Sequence, residues 1–255
     1  MAAPVVIAVA GKGGTGKTTF CGMLIRHLTK KGKKVLAVDA DPNSNLNEVL
    51  GVELPLTLGD IRETLTGERM GDTVPGGMTK PEYAEFMMGD ALTEEDDYDL
   101  LVMGRTQGEG CYCYVNGVLR TQVQRYSGAY DYIVVDNEAG LEHISRGTLP
   151  RIDILLLVSD SSRRGIQAVG RVARMVTELK LNPKAQGLIV NRAPEGVIDE
   201  GLLEEIATQQ LELIGVLPQD ETVYKFDTAG KPSADVPEDA PIKVAIRELA
   251  EKLGL

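Results

Sequence analysis

The chain has 255 residues, 43% of them hydrophobic and 25% charged, which excludes a disordered chain and fits one large domain over residues 1–255 better than two. A net charge of −11, from 27 Lys and Arg against 38 Asp and Glu, repels phosphate backbones, so no nucleic-acid partner is expected. Only Cys21, Cys111 and Cys113 carry thiols and aromatics make up 4%, so a disulfide framework is excluded, an aliphatic core is implied and a reducing cytoplasm is the expected setting.

Residues 4–10 (PVVIAVA) form an apolar run ending at glycines, the signature of a strand buried on both faces. No basic segment precedes it and no apolar run reaches membrane-spanning length, so neither a secretory leader nor a membrane partner is expected. Residues 17–31 carry helix formers and end in Lys and Arg before Gly32, and residues 34–39 (KVLAVD) form a second buried strand. Strand, helix and strand with short links predict a right-handed βαβ unit. A short helix is expected over 43–50, whereas 55–99 shows little regularity. Within it, 82–99 holds eight acidic residues without Lys or Arg, which reads as a solvated acidic face. Strands follow at 100–103, 130–136, 153–159, 186–191 and 213–217. Helices follow at 117–126, 162–179, 202–209 and 241–253. The alternation predicts an α/β fold with a doubly wound, mostly parallel sheet flanked by helices.

The first strand runs directly into Gly11-Lys12-Gly13-Gly14-Thr15-Gly16-Lys17-Thr18-Thr19. This satisfies G-x-x-x-x-G-K-[ST], in which glycines let backbone N–H groups cradle phosphates at a helix N-terminus. Gly13, Gly14, Thr15, Gly16 and Thr19 are the expected cradle, Lys17 the cation at the β- and γ-phosphates, and Thr18 a magnesium ligand. The stretch also satisfies G-x-G-x-x-G, with Asp39 spaced for a ribose, but that dinucleotide reading leaves Lys17 and Thr18 unexplained. Lys12 is either a tolerated exposed side chain or a second cation reaching a partner's nucleotide.

GKGGTGKTT resembles the deviant Walker A loop of the MinD/ParA and nitrogenase iron protein superfamily, whose members are nucleotide-gated homodimers with the signature lysine at the position of Lys12. The resemblance implies ATP or ADP and Mg²⁺ as ligands. Asp39-Ala-Asp41-Pro42 resembles the first switch, with Asp41 orienting the attacking water and Asp39 near Mg²⁺. Asp136-Asn-Glu-Ala-Gly140 resembles Walker B and the second switch, with Asp136 holding the metal's water shell. Asn191 and Arg192 resemble the group's base-reading pair, and Pro218-Gln219-Asp220 its second base-contacting loop. Lys12, Lys17 and Asp41 are therefore the expected catalytic set. Taken singly, each Asp reads as a helix cap or turn residue. Landmarks at the ends of successive strands point instead to the ligand-binding edge of an open sheet.

Gly110-Cys111-Tyr112-Cys113-Tyr114 is the second informative stretch. On an extended segment residues i and i+2 share a face, so Cys111 and Cys113 would present two thiols together. Two chains about a two-fold axis would complete a Cys₄ site, selective for Ni²⁺, Zn²⁺, Cu⁺ or an iron–sulfur cluster. The alternative is two buried cysteines acting as small hydrophobes. Cys21, on the first helix, reads as core filler. Within the superfamily the chain is most similar to the maturation ATPases of nickel carbon monoxide dehydrogenase, through AGKGGTGKTT, VDADPNSNL, GCYCYVNGVLR and VVDNEAGLEHISRG. That subgroup implies Ni²⁺ (or Zn²⁺) at the dimer interface, with the dehydrogenase as client. Glu138 departs from the Pro common in the wider group. Glu142 and His143 read as a helix-start pair or a transient nickel relay. Three rivals remain: maturation of acetyl-CoA synthase, an iron-protein-like electron carrier, and a positioning ATPase. The last requires a basic amphipathic tail or a basic face that this sequence does not carry.

Overall fold

The computed structural model describes residues 3–66, 77–105, 113–139 and 151–255. One eight-stranded sheet organises the chain. In sequence the elements are β1 (Val5–Gly11), α1 (Lys17–Lys30), β2 (Val35–Asp39), α2 (Leu46–Leu50), α3 (Leu58–Thr66), α4 (Lys80–Asp90), β3 (Leu92–Glu94), β4 (Tyr98–Val102), α5 (Cys113–Tyr126) and β5 (Tyr132–Asp136). Then come β6 (Ile154–Asp160), α6 (Arg163–Glu178), β7 (Ala185–Ala193), α7 (Glu200–Thr208), β8 (Leu213–Pro218), α8 (Glu221–Thr228) and α9 (Pro241–Lys252). The order across the sheet is β3-β4-β2-β5-β1-β6-β7-β8. All pairings are parallel except that of β3 with β4.

The central strands read as continuous apolar runs because both faces are covered. Along β1, Ile7 and Val9 join one buried cluster with Phe20, Leu24 and Leu28 of α1 and Ile246 of α9. Val6, Ala8 and Ala10 join the opposite cluster with Ile61 of α3, Leu119 of α5, Ile166 of α6 and Ile206 of α7. Each fully buried Leu, Ile or Val contributes roughly 1.5–3 kcal/mol relative to exposure, so these two aliphatic layers hold the sheet without Trp. Cys21 is fully buried in the first layer. No helix among the described residues is long and apolar enough to cross a membrane.

Four expectations need correction. The stretch 55–99 is regular, carrying α3, α4 and the antiparallel edge strand β3. The start of α4 is fixed by a capping box in which the Thr79 side chain accepts from the Glu82 N–H and the Glu82 carboxylate accepts from the Thr79 N–H. A helix, α8, follows β8 where none was expected; the Asp220 carboxylate caps it. The short helix expected from residue 43 begins only at Leu46, because residues 41–44 form a tight turn in which the Ser44 N–H donates to the Asp41 carbonyl. The helix expected from Gly117 begins at Cys113, so Cys113 does not lie on an extended segment. Cys111 lies outside the described residues, as do Gly140, Glu142 and His143.

Candidate nucleotide-binding site

β1 lies between β5 and β6, so the chain departs in opposite directions across the sheet on its two sides. In open α/β sheets the crevice at the carboxyl ends of strands around such a switch point is where ligands bind. The phosphate loop leaves β1 at that place. Gly11 approaches β6 so closely that a Cβ there would sit 2.1 Å from the Val158 carbonyl oxygen. The Thr15 hydroxyl closes the loop by donating to the Lys12 carbonyl at 2.9 Å and faces the Val158 carbonyl at 3.3 Å. Gly16, with φ +86°, turns the chain into α1. Among the described residues no side chain caps α1 and no acidic residue occupies its first turn, so its leading N–H groups face the cleft as an anion site.

Lys17 is 7% exposed and its ammonium donates to the Lys12 carbonyl at 3.2 Å. It holds its charge inside the loop, where phosphate oxygens would sit. Lys12 itself is exposed. The loop opens on a cleft of about 860 Å³ lined by Gly13, Gly14, Lys17, Thr18, Asp41 and Asn43, among others.

Beneath the loop, Asp39 and Asp136 stand at paired register on adjacent strands β2 and β5 and are almost completely buried. Asp39 accepts from the Asp41 and Leu46 N–H groups, each at 3.0 Å. Burial, and secondarily the Asp136 charge, push the Asp39 carboxyl up to about 7. Burial likewise raises Asp136 to about 6, against the lowering effects of the Thr18 hydroxyl and Lys17. One Asp136 oxygen, Oδ1, has no hydrogen-bond partner among the described residues. An orphaned buried carboxylate oxygen beside a second carboxylate and a threonine hydroxyl fits a hard, oxygen-ligated divalent cation. Thr18, Asp136 and Asp39 are the residues that would hold Mg²⁺ and its waters here. Cys21 borders the same carboxylates: burial, and next the Asp136 charge, raise its thiol well above the ordinary range.

Asp41 reaches the cleft from the turn after β2. Its Oδ1 accepts from the Asn43 N–H at 2.8 Å and the Asn43 side-chain amide at 3.1 Å. Asn43, which lies within the VDADPNSNL segment but to which the sequence assigns no role, therefore sets the orientation of that carboxylate.

A second cavity, of about 930 Å³, adjoins the first and is lined by Gly16, Thr19, Asn191, Arg192, Pro218 and Asp220, among others. It brings together the two segments read from sequence as base-contacting. Between Val190 and Ala193 the register of β7 against β8 shifts, a bulge of the kind that re-aims side chains near sites. Arg192 there adopts φ +56°. Asn191 donates to the Thr15 carbonyl at 2.8 Å and accepts from the Arg192 N–H at 2.9 Å. The Arg192 guanidinium donates to the Gly14 carbonyl at 3.1 Å. Both residues thus brace the phosphate loop while lining the cavity. Asp220 accepts from the Thr222 N–H at 2.8 Å and the Ile242 N–H at 3.2 Å, so it is a helix cap as well as part of the wall. Tyr224 and Val223 of α8 complete that wall. The sequence does not announce them because it barely announces α8; the only signal is Asp220 standing directly before Glu221 and Thr222.

A parallel sheet with a P-loop at its switch point, a buried aspartate pair below and a second cavity alongside defines a P-loop nucleotide-binding protein of the ATPase class. The family model for the CobQ/CobB/MinD/ParA nucleotide binding domain matches residues 6–233, and the chain belongs to that family. It is 42% identical over 250 residues to an uncharacterized ATP-binding protein of Methanocaldococcus jannaschii, covering 97% of this chain and 98% of that one. It is 32% identical over 239 residues to the carbon monoxide dehydrogenase accessory protein CooC of Rhodospirillum rubrum, covering 88% and 87% respectively. Among solved structures it superposes with a TM-score of 0.71 on the septum site-determining protein MinD of Pyrococcus horikoshii in complex with Mg-ADP. The two are 25% identical, with 98% of this chain and 96% of that one covered.

Proposed function

We propose that this chain is an ATP-hydrolysing, homodimeric metallochaperone of the cytoplasm that binds Ni²⁺ (or Zn²⁺) through Cys111 and Cys113 and supports nickel insertion into carbon monoxide dehydrogenase. The observation that carries this reading is the C-x-C segment in a chain of this family, together with the 32% likeness to CooC. Lys17 and the leading N–H groups of α1 bind the phosphates, and Lys12 reaches the nucleotide of the second copy. Thr18, Asp39 and Asp136 would hold Mg²⁺, which would offset the negative charge of the phosphates. Asp41, held by Asn43, orients the attacking water. Nickel is cargo: each chain contributes two thiolates, and two chains complete one four-sulfur shell. ATP closes the dimer around that shell, and hydrolysis opens it.

The test is reconstitution. Nickel-free carbon monoxide dehydrogenase incubated with this protein, Ni²⁺ and MgATP gains activity. The Cys111→Ser/Cys113→Ser protein, which keeps the phosphate machinery, does not support that gain. Equal gain with both proteins overturns the role of the two thiols.

A further inference from the structure

Asn43 fixes the Asp41 carboxylate, and its own amide is fixed from the other side. The Arg105 guanidinium donates to Asn43 Oδ1 at 2.8 Å across 62 residues of sequence. With oxygen turned to Arg105 and nitrogen to Asp41, the Asn43 amide is held in a single orientation. Arg105 follows β4, and its backbone is gripped. Gly104 has φ +70°, and a Cβ on it would lie 2.2 Å from the Thr57 hydroxyl. A Cβ on Gly59, in the first turn of α3, would lie 2.2 Å from the Arg105 carbonyl oxygen. The Gly59 N–H donates to the Met103 carbonyl at 2.8 Å. The helix that grips this segment packs against α5: Leu58 and Ile61 of α3 and Leu119 and Val123 of α5 belong to one buried cluster. The helix α5 begins at Cys113.

We propose that Arg105 is a positioning residue that ties the Asp41 turn to α3 and α5, so that a displacement of Asp41 at the nucleotide is transmitted to the helix bearing Cys113. A displacement of the Asp41 turn that exceeds the reach of the Arg105 side chain either breaks the Arg105–Asn43 hydrogen bond or pulls on the clamped segment 103–105. Packed side chains with two discrete arrangements are the physical means by which such coupling travels. The inference rests on the nucleotide reading of the cleft and deepens the cargo reading by naming how nucleotide state reaches it.

Amide hydrogen exchange of α5 tests this directly. It is measured by mass spectrometry on the full chain with MgADP and with Mg²⁺ and a slowly hydrolysed ATP analogue. Wild-type α5 is expected to exchange several-fold differently in the two states. Arg105→Met keeps an unbranched apolar stem and removes the donors; it should abolish that difference while changing the affinity for either nucleotide less than about threefold. Arg105→Lys, which keeps a donor, should restore most of it. Asn43→Ala should likewise abolish the exchange difference, and in that readout the double variant should be no worse than Arg105→Met alone, as for residues acting in one chain of contacts. A wild-type difference that persists in Arg105→Met, or a wild-type protein whose α5 does not respond to nucleotide, overturns the proposal. Metal content of the same samples separates the two readings. A nucleotide response of α5 in a protein that binds no nickel leaves Arg105 in place and removes the cargo. Nickel bound at the cysteines with no α5 response does the reverse.

Discussion

At the phosphate end of the cleft, Asp136 is 1% exposed and keeps one oxygen without a partner among the described residues. At the base end, Asp220 has both oxygens engaged by backbone N–H groups, and Asn191 has both ends of its amide engaged by the phosphate loop and its own neighbour. At the base end Asn191 and Asp220 are preformed, their polar atoms engaged by the fold itself. The phosphate end is held in an electrostatically unfavourable state by the central strands, because β2 and β5 bring two carboxyls to the same register in a dry interior. Burying charge without full pairing costs free energy, and a bound divalent cation would relieve it. Substitutions at the buried carboxyls and at the other end should therefore have opposite signatures: at the carboxyls function falls while stability holds or rises, and at the end lined by Asn191 and Asp220 the two fall together.

Lys17→Ala should give the largest effect. It removes the cation held inside the loop, and hydrolysis should fall by roughly 10³-fold or more, measured as phosphate release at saturating MgATP. A residual rate near wild type would remove Lys17 from the phosphate machinery.

Asp136→Asn is the sharpest test of the contrast. Hydrolysis should fall by about 10²-fold, whereas the nucleotide-free protein at pH 8 should be more stable by about 1–2 kcal/mol, because the buried charge is gone. The sign follows from burial. Both carboxyls hold their protons more tightly folded, with values of about 7 and about 6, than in the unfolded chain, where a carboxyl titrates near 4. Their contribution to stability is therefore complete below about pH 4 and is lost as pH rises through 6 and 7. Chemical denaturation of the magnesium-free protein from pH 5 to 8 should show a shallower fall for Asp136→Asn than for wild type. Identical slopes would mean that the pair does not carry the pH dependence.

At the base end, Asn191→Ala should destabilise the protein by about 1–3 kcal/mol, since the Thr15 carbonyl loses its buried donor. Nucleotide affinity should fall with stability, because the loop loses its brace. A variant with weakened affinity and wild-type stability would make Asn191 a ligand contact alone. Asp220→Ala should be the mildest, costing about 1 kcal/mol as the cap of α8 is lost, and read as a small drop in thermal midpoint.

The phosphate end is the more legible of the two in the sequence, for a physical reason. Strands covered on both faces leave unbroken apolar runs, and the residues that end those runs, Gly11, Asp39 and Asp136, are thereby assigned to the sheet edge by the pattern of the chain alone. The base end depends on α8, whose start is announced only by Asp220. That residue type serves equally as cap and as ligand contact, and in the fold it caps. The helices α3 and α4 escape a sequence reading because their apolar stripes are short, although Thr79 and Glu82 spell a capping box. The extended reading of the cysteine segment fails at Cys113 because C-Y-C-Y-V-N lacks strong helix formers, so the helix is not announced there, while further along Leu119 and Val123 share a buried cluster with α3. The nearness of Cys21 to the aspartate pair, and the tie from Arg105 to Asn43, come from long-range packing that no spacing in the sequence reports.

The proposed shared site requires two copies of the chain to hold one metal. Metal content per chain decides the matter, measured on protein loaded with Ni²⁺, passed through gel filtration and sized by light scattering. About one Ni²⁺ per dimer is expected, because four thiolates complete one shell. Dimerisation should depend on metal in the absence of nucleotide. Either Cys111→Ser or Cys113→Ser should lose the metal, and Cys21→Ser should keep it. One metal per monomer, or unchanged metal in the double Cys→Ser protein, would contradict the shared site.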